Sequence, residues 1–212
     1  MAAATDVILA ELARLYPATK PTLNFSNPFE TLIAAILSAQ CTDVRVNMVT
    51  PELFAKFPDV RSIAALEPEQ LEPHIRLVGL YHAKSRNIVD TCRIIVERHD
   101  GEVPGDFDSL MKLPGVGRKV ANVVLSNAFG QDAFAVDTHV HRVANRLGLA
   151  NSKTPEQTER QLTEIVPRGE WGVTHLRLIY HGRAVCHSRK PDCADCTLNG
   201  LCAFSLSEEA VV

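Results

Sequence analysis

The chain has 212 residues, of which 46% are hydrophobic and 22% are charged, and this balance excludes a disordered or collagen-like protein. Its length allows one or two domains with a core that needs no disulfide bonds. The formal net charge of −3 argues against a protein held on nucleic acid by net positive charge alone. Residues 112–190 nevertheless carry 12 Lys and Arg against 6 Asp and Glu. Either these charges are scattered by chance, or one face is basic and meets an anionic partner.

The N-terminal segment and the hydropathy pattern predict a protein without a membrane partner. Residues 1–16 combine apolar positions at helical spacing with Asp6 and Glu11, which predicts an amphipathic helix and excludes a secretory signal. No uncharged apolar run reaches the ~18 residues of a membrane-spanning helix. We therefore expect a cytoplasmic protein whose thiols are reduced.

Capping residues and helical periodicity predict an all-α protein. Asn27 and Pro28, followed by Glu30, should open a helix. Its body, residues 31–40, is apolar on nearly every side and is therefore expected to be buried. No stretch of the chain alternates as a convincing strand. Three further helices are expected, at residues 82–99, 155–166 and 171–182.

The most informative stretch is a glycine-rich turn between two predicted helices. A short helical pattern over residues 107–111 precedes the motif Leu-Pro-Gly-Val-Gly-Arg-Lys at residues 113–119, and an apolar helix over residues 120–125 follows it. Two glycines allow the backbone N–H groups at the start of the second helix to face outward, where the helix dipole favours an anion. The pattern predicts either a phosphate-binding helix-hairpin-helix or an ordinary turn between helices.

Four of the six cysteines crowd into residues 186–202. In a reducing compartment the spacing Cys-x6-Cys-x2-Cys-x5-Cys indicates metal ligands rather than disulfides. Four thiolates suit a structural zinc ion and an iron–sulfur cluster equally, and the spacing leaves both open. Cys41 and Cys92 stand in apolar helical contexts and are expected to be small buried residues. The candidate metal ligands are Cys186, Cys193, Cys196 and Cys202.

Several of these motifs together resemble one family. The hairpin at residues 113–119, the Val-Asp-Thr-His segment at residues 136–139 and the four-cysteine loop are similar to the helix-hairpin-helix DNA glycosylase superfamily. Within it they most resemble the endonuclease III family, and residues 38–43 and 78–81 add to the match. The resemblance implies a [4Fe–4S] cluster rather than zinc.

The resemblance also implies a fold of two helical lobes, with the active site in the cleft between them. A six-helix barrel lobe with the helix-hairpin-helix is expected at residues 22–132. Residues 1–21 and 133–212 would together form the iron–sulfur cluster lobe, so this lobe is discontinuous in sequence.

Lys119 and Asp137 are the candidate catalytic residues. Lys119 is expected in the first turn of a helix, where the dipole disfavours a positive charge and so favours the neutral amine that nucleophilic attack needs. The catalytic lysine of the family stands at this motif position. Asp137 precedes a helical pattern that ends at Gly148, so it is a strong N-cap candidate. It also matches the catalytic aspartate of the family, and the two roles are compatible.

A set of DNA contacts follows from the resemblance as well. Gln40 and Leu80 would fill the gap left by a flipped nucleotide, although each could equally be a helix-end or core residue. His139 would line the site, with a satisfied structural histidine as the alternative. Arg189 and Lys190, between the first two cysteines, would face phosphate. The hairpin would contribute Leu113, Gly115, Gly117 and Arg118.

Together these expectations describe a bifunctional DNA glycosylase and AP lyase of base excision repair. Its partner would be double-stranded DNA with damaged pyrimidines or abasic sites, and the enzyme is expected to be a monomer. Adenine and thymine-mismatch glycosylases share the hairpin, the aspartate and the cluster, but Lys119 favours the bifunctional branch. Only ten residues follow Cys202, where an adenine glycosylase has a further domain. A DNA-binding module without catalysis would have no reason to combine Lys119 with Asp137.

Overall fold

The protein is all-helical in a computed structural model that describes residues 2–207, with side chains from residue 4 onward. Between residues 2 and 207 there is no strand, and no helix there is both long and apolar enough to cross a membrane. Two 3-10 helices, Cys193–Asp195 and Asn199–Leu201, follow the α-helices. The α-helices are α1 (Ala2–Leu15), α2 (Pro28–Leu37), α3 (Asp43–Lys56), α4 (Val60–Ala64), α5 (Pro68–Ile75), α6 (Tyr81–Arg98), α7 (Phe107–Leu110), α8 (Arg118–Phe129), α9 (Thr138–Leu147), α10 (Pro155–Ile165) and α11 (Trp171–Ala184).

The chain divides into two compact units. The hairpin unit, Pro21–Gln131, contains α2 to α8. The cysteine unit joins Met1–Lys20 to Asp132–Val212 and contains α1 and α9 to α11. The cysteine unit is therefore built from the two ends of the chain, and the hairpin unit is inserted between them.

Helix α2 is the central helix of the hairpin unit, as its apolar sequence predicts. The Asn27 side chain caps it by accepting a hydrogen bond from the backbone N–H of Glu30, at 2.9 Å. The Glu30 carboxylate in turn accepts from the backbone and hydroxyl of Ser26, both at 2.7 Å. Every residue from position 31 to 37 is buried. Burial on all sides leaves this helix no solvated face.

Three helices of the hairpin unit, α3 to α5, were not anticipated from the sequence. Local capping explains α3 and α4 in retrospect. The Thr42 hydroxyl accepts from the backbone N–H of Arg45 at the start of α3. The Asp59 carboxylate accepts from the backbone N–H of Ser62, at 2.7 Å, in a full capping box at the start of α4. The helix predicted at residues 82–99 is confirmed as α6.

The cysteine unit packs α1 and α9 against α11 around an apolar core that includes Leu12, Phe134 and Val140. Helix α10 begins at the predicted cap, where the Thr154 hydroxyl accepts from the backbone N–H of Gln157. It ends before Pro167 as predicted. The helices predicted at residues 155–166 and 171–182 are therefore both confirmed, as α10 and α11, and the loop that carries the four cysteines follows α11.

Candidate active site and metal centre

The predicted hairpin is present between α7 and α8, and its tight turn depends on Gly115. This residue has φ +76°, a left-handed conformation that favours glycine. A Cβ at this position would lie 3.0 Å from the side chain of Asn87. The hydroxyl of Thr91, on α6, donates a hydrogen bond to the backbone oxygen of Pro114, at 2.8 Å. The turn is therefore held from behind by α6.

The N-terminus of α8 lies open beside this turn. Its N-cap residue is Gly117, which has an extended backbone and no side chain to cap the helix. A Cβ on Gly117 would meet nothing within 4 Å. The first N–H groups of a helix need partners from outside it, and the positive end of the helix dipole favours an anion there. This end of α8 can therefore seat a phosphate.

The other hairpin residues are two buried apolar residues and two cations, Arg118 and Lys119. Leu113 and Val116 are buried, so Leu113 can offer a ligand only its backbone. The guanidinium of Arg118 is exposed and stacks over the ring of Phe107, 4.9 Å from its centroid. Lys119 is half-buried in the first turn of α8. The hairpin thus places one lysine beside the open helix end.

Asp137 is the N-cap of α9, which confirms the capping role predicted from the sequence. Its carboxylate accepts a hydrogen bond from the backbone N–H of Val140, at 2.8 Å. The segment before it, residues 133–136, is buried, and Gly148 ends the helix with φ +78°. The carboxylate is half-buried and fixed in direction. Lys119 belongs to the hairpin unit and Asp137 to the cysteine unit.

His139 is half-buried on α9 and faces α11. Its Nδ1 lies 3.2 Å from the guanidinium of Arg142, which itself donates to the backbone oxygens of Gly182 and Cys186. Burial lowers the pKa of His139, and the charge of Arg142 acts in the same direction while Asp137 opposes it. These are the contacts of a structural histidine, and its contact with DNA stays a prediction.

Gln40 and Leu80, the predicted gap-filling residues, share an uncommon geometry. Both are exposed, Leu80 by 59%. Both also have positive φ angles, 51° for Gln40 and 61° for Leu80, although neither is glycine. Such a conformation costs about 1–3 kcal/mol and is typical of functional sites. The expectation that Cys41 lies in a helix is wrong, because this residue follows Gln40 in the turn between α2 and α3 and is only half-buried.

The four cysteines of the loop line one pocket that is partly open to solvent. None of the four forms a disulfide. Burial raises the pKa values of Cys193 and Cys196, and the other cysteines of the loop raise them further. Crowded, partly buried thiols of this kind lose their protons when a cation binds them. The donor set therefore fits a thiolate-bound metal group.

Two side chains that sequence reasoning missed contact these sulfurs. The guanidinium of Arg146 donates to Cys186 Sγ, at 3.5 Å, and to the backbone oxygens of His187 and Ser188. Nε2 of His181 lies 3.9 Å from Cys196 Sγ. Both residues stand in ordinary helical patterns, so nothing in the sequence marks them. Arg189 and Lys190 are exposed in the same loop, and Lys190 has φ +52°.

An open helix-hairpin-helix in one unit and a four-cysteine loop in the other define a class of base excision repair proteins, and comparison with known proteins agrees. Residues 33–168 match the family described as HhH-GPD superfamily base excision DNA repair protein. Endonuclease III of Synechocystis sp. is 47% identical over 200 residues, which cover 94% of this chain and 91% of that protein. Endonuclease III of Escherichia coli (strain K12) is 47% identical over 197 residues, 93% of each chain.

A solved structure described as a trapped endonuclease III–DNA covalent intermediate has the same fold. It matches with a TM-score of 0.93 and 46% sequence identity, over 97% of both chains. The chain therefore belongs to the HhH-GPD superfamily and, within it, to the endonuclease III family, as the resemblance of its motifs predicts. Its activity is that of a DNA N-glycosylase and AP lyase.

Proposed function

We propose that Lys119 is the nucleophile with which this enzyme removes oxidised pyrimidines from double-stranded DNA and then cleaves the strand at the abasic site. The observation that carries this proposal is the position of Lys119, half-buried in the first turn of α8 beside the open N-terminus. A sugar whose phosphate is bound by those N–H groups comes within reach of the amine. The match to a trapped covalent endonuclease III–DNA intermediate supports a covalent route.

The reaction would be a substitution at the sugar followed by an elimination. The neutral amine attacks C1′, the bond from C1′ to the base breaks, and the proton that the amine gives up passes through Asp137 to the leaving base. The bond from C1′ to O4′ then opens, O4′ takes a proton from water, and an iminium forms between C1′ and the lysine nitrogen. Loss of the acidic C2′ proton breaks the C3′–O bond, which cleaves the strand on the 3′ side.

Asp137 would act on the charges of this reaction. One carboxylate oxygen is fixed by the cap bond to Val140, so the direction of the whole group is fixed. It would accept the proton from the Lys119 amine and stabilise the positive charge that develops on the sugar. A preorganised charge is worth more in catalysis than a mobile one, because it needs no reorganisation during the reaction.

The DNA would be bound largely through its backbone. The open end of α8 would seat one phosphate, and the exposed Arg189 and Lys190 would contact others. Gln40 and Leu80 would enter the space left by the flipped nucleotide, because both are exposed and held in the left-handed conformation. A base must leave the stack before its C1′ can be attacked. Duplex DNA is therefore the proposed substrate, and the resemblance to the endonuclease III family makes an oxidised pyrimidine the proposed base.

Cys186, Cys193, Cys196 and Cys202 would hold a [4Fe–4S] cluster, which would supply a rigid cross-link of the loop. The match to the endonuclease III family supports this choice over zinc, and the four cysteines line one pocket that is partly open to solvent.

Borohydride trapping tests the role of Lys119. The protein is mixed with a duplex oligonucleotide that contains one thymine glycol, and sodium borohydride reduces any imine to a stable adduct. We expect an adduct with the wild type and none with Lys119→Ala. Lys153→Ala, which removes an exposed lysine of the other unit, is the matched control and should trap as the wild type does. An undiminished adduct with Lys119→Ala refutes the assignment.

Metal analysis tests the cluster independently of activity. Four iron and four sulfide per chain, with a brown colour, are expected for the purified protein. One zinc per chain without sulfide would refute the cluster. The cytoplasmic location and the monomeric state stay predictions.

A further inference from the structure

One buried lysine joins the two exposed loops that carry Gln40 and Leu80. Lys84 lies in the first turn of α6 and is only 4% exposed. Its Nζ donates a hydrogen bond to the backbone oxygen of Leu37, at 2.8 Å. Its backbone N–H donates to the backbone oxygen of Leu80, at 3.0 Å. The Lys84 side chain therefore bonds to the end of α2, which leads into Gln40, from a backbone position in the first turn of α6, which Leu80 opens.

The hydrogen bonds at the end of α2 show what Lys84 contributes. The last four carbonyl groups of a helix have no partner within it. The three carbonyls before Leu37 accept from donors nearby in sequence, the backbone N–H and hydroxyl of Ser38 and the backbone N–H of Ala39. The carbonyl of Leu37 accepts from Lys84, which is 47 residues away in sequence. The end of α2 is thus tied to α6 through this ammonium.

The two loops also meet directly. A Cβ on Gly79 would lie 3.7 Å from the backbone oxygen of Gln40, so the chain before Leu80 runs beside the chain at Gln40. Both Gln40 and Leu80 are in the left-handed conformation, which the surrounding contacts must hold in place. The Lys84 side chain bonds to the Leu37 carbonyl, three residues before Gln40, and its backbone N–H makes the helical bond to the Leu80 carbonyl.

Burying an ammonium costs free energy, because the charged form loses its hydration. Burial accordingly lowers the pKa of Lys84, while Cys41 acts in the opposite direction. The negative end of the α2 dipole offsets part of this cost. An apolar side chain would fill the same space without it, but it could not reach across and bond to the Leu37 carbonyl. The long, charged side chain is what links the first turn of α6, next to Leu80, to the end of α2, next to Gln40.

We propose that Lys84 is a positioning residue for DNA recognition, which holds the Gln40 loop and the Leu80 loop in register so that both side chains enter the duplex together. This inference rests on the proposed gap-filling role of Gln40 and Leu80. The ligand is double-stranded DNA around an extruded nucleotide, because a single strand has no gap to fill. Lys84 acts through the two loops and does not touch the reacting sugar.

The test compares AP lyase kinetics of Lys84→Met, Leu80→Ala and the double variant. One oligonucleotide with a single abasic site is used twice, as a duplex and as a free single strand. We expect Lys84→Met to lower kcat/KM on the duplex about tenfold. This factor corresponds to the free energy of one lost hydrogen bond to a buried carbonyl. On the single strand it should stay within about twofold of wild type. In the Leu80→Ala background the added loss should vanish, because residues that act through one another are not additive.

The outcomes separate this inference from the function on which it rests. An equal loss on both substrates, or a full further loss in the Leu80→Ala background, means that Lys84 is merely structural and overturns the inference. If Leu80→Ala itself cleaves the duplex as wild type does, the gap-filling role fails, and with it any action of Lys84 through Leu80. Borohydride trapping on the single strand checks that Lys119 still works in every variant.

Matched variants guard against a folding defect. Ser85→Ala removes a buried hydroxyl from the next residue of α6 and should leave both substrates unaffected. If Lys84→Met does not fold, Lys84→Gln replaces it, since the amide keeps an N–H donor on a side chain one bond shorter. We then expect a smaller loss that is again confined to the duplex, and a loss on both substrates overturns the inference in the same way.

Discussion

Asp137 is the N-cap of α9 and a proposed catalytic residue, and three substitutions should separate these two roles. Its cap bond to the Val140 N–H is 2.8 Å long. Replacing an N-cap aspartate by alanine costs about 1 kcal/mol, within a range of about 0.5–2 kcal/mol, whereas asparagine and serine cap a helix nearly as well. For a protein of this size 1 kcal/mol corresponds to about 2–4 °C in Tm. Only Asp137→Ala should therefore lower Tm measurably.

Activity should follow a different order. All three variants, Asp137→Asn, Asp137→Ser and Asp137→Ala, lack the carboxylate that would take the proton of Lys119. Loss of one preorganised electrostatic group lowers kcat by about 100- to 1000-fold. We expect a loss of this size in all three, measured as single-turnover excision of thymine glycol from a duplex. Tm is measured on the same preparations by circular dichroism.

Thr154→Ala is the matched control for the cap. Thr154 is the N-cap of α10 in the same unit, so its loss should lower Tm by a similar amount and leave excision unchanged. If Asp137→Asn folds with an unchanged Tm and excises as fast as the wild type, Asp137 is a cap alone and its catalytic role is refuted. If Asp137→Asn loses as much stability as Asp137→Ala, the assignment of the cap energy is wrong.

Two further predictions concern the hairpin and the cysteine loop. Gly117→Ser adds a hydroxyl that can cap the first N–H groups of α8 in place of phosphate. Tm should therefore stay the same or rise, while the affinity for DNA, measured by fluorescence anisotropy, falls about tenfold. Gly115→Ala should instead lose about 1–2 kcal/mol of stability, because its φ is +76°; equal Tm values for the two variants would contradict this reasoning. Arg146→Met removes the donor to Cys186 Sγ, so this variant should lose iron to a chelator faster than the exposed control Arg160→Met. Iron loss is followed by the decay of visible absorbance. Equal half-lives of iron loss in the two variants would refute the contact.

The features that could be predicted from the sequence are those in which the interacting groups lie a few residues apart along the chain. An N-cap bonds three residues ahead, so Asn27, Thr154 and Asp137 could each be assigned from the chain alone. The hairpin is also local, because Gly115 supplies a left-handed turn and Gly117 leaves the next helix uncapped. The same limit explains the error at Cys41, where an apolar run hid the left-handed turn at Gln40.

Contacts between distant parts of the chain could not be predicted. Arg146 and Cys186 are 40 residues apart, and Lys84 and Leu37 are 47 residues apart. Each of these polar side chains occupies an ordinary position on its helix, and only tertiary packing gives it a partner. The cysteines were found because their spacing is itself a pattern, whereas the residues that contact their sulfurs follow none.

The N-termini of α8 and α9 explain why net charge was a poor guide to function. Helix α9 begins with a carboxylate, Asp137, that fills its own N-terminus. Helix α8 begins with Gly117, which leaves its N-terminus open, and the cations Arg118 and Lys119 follow in the first turn, where the helix dipole disfavours them. A phosphate bound at α8 would relieve that repulsion and at the same time accept hydrogen bonds from the first N–H groups of the helix. Affinity for DNA would therefore come from backbone groups that a count of charged residues does not include, so a chain with a formal charge of −3 can still bind a polyanion.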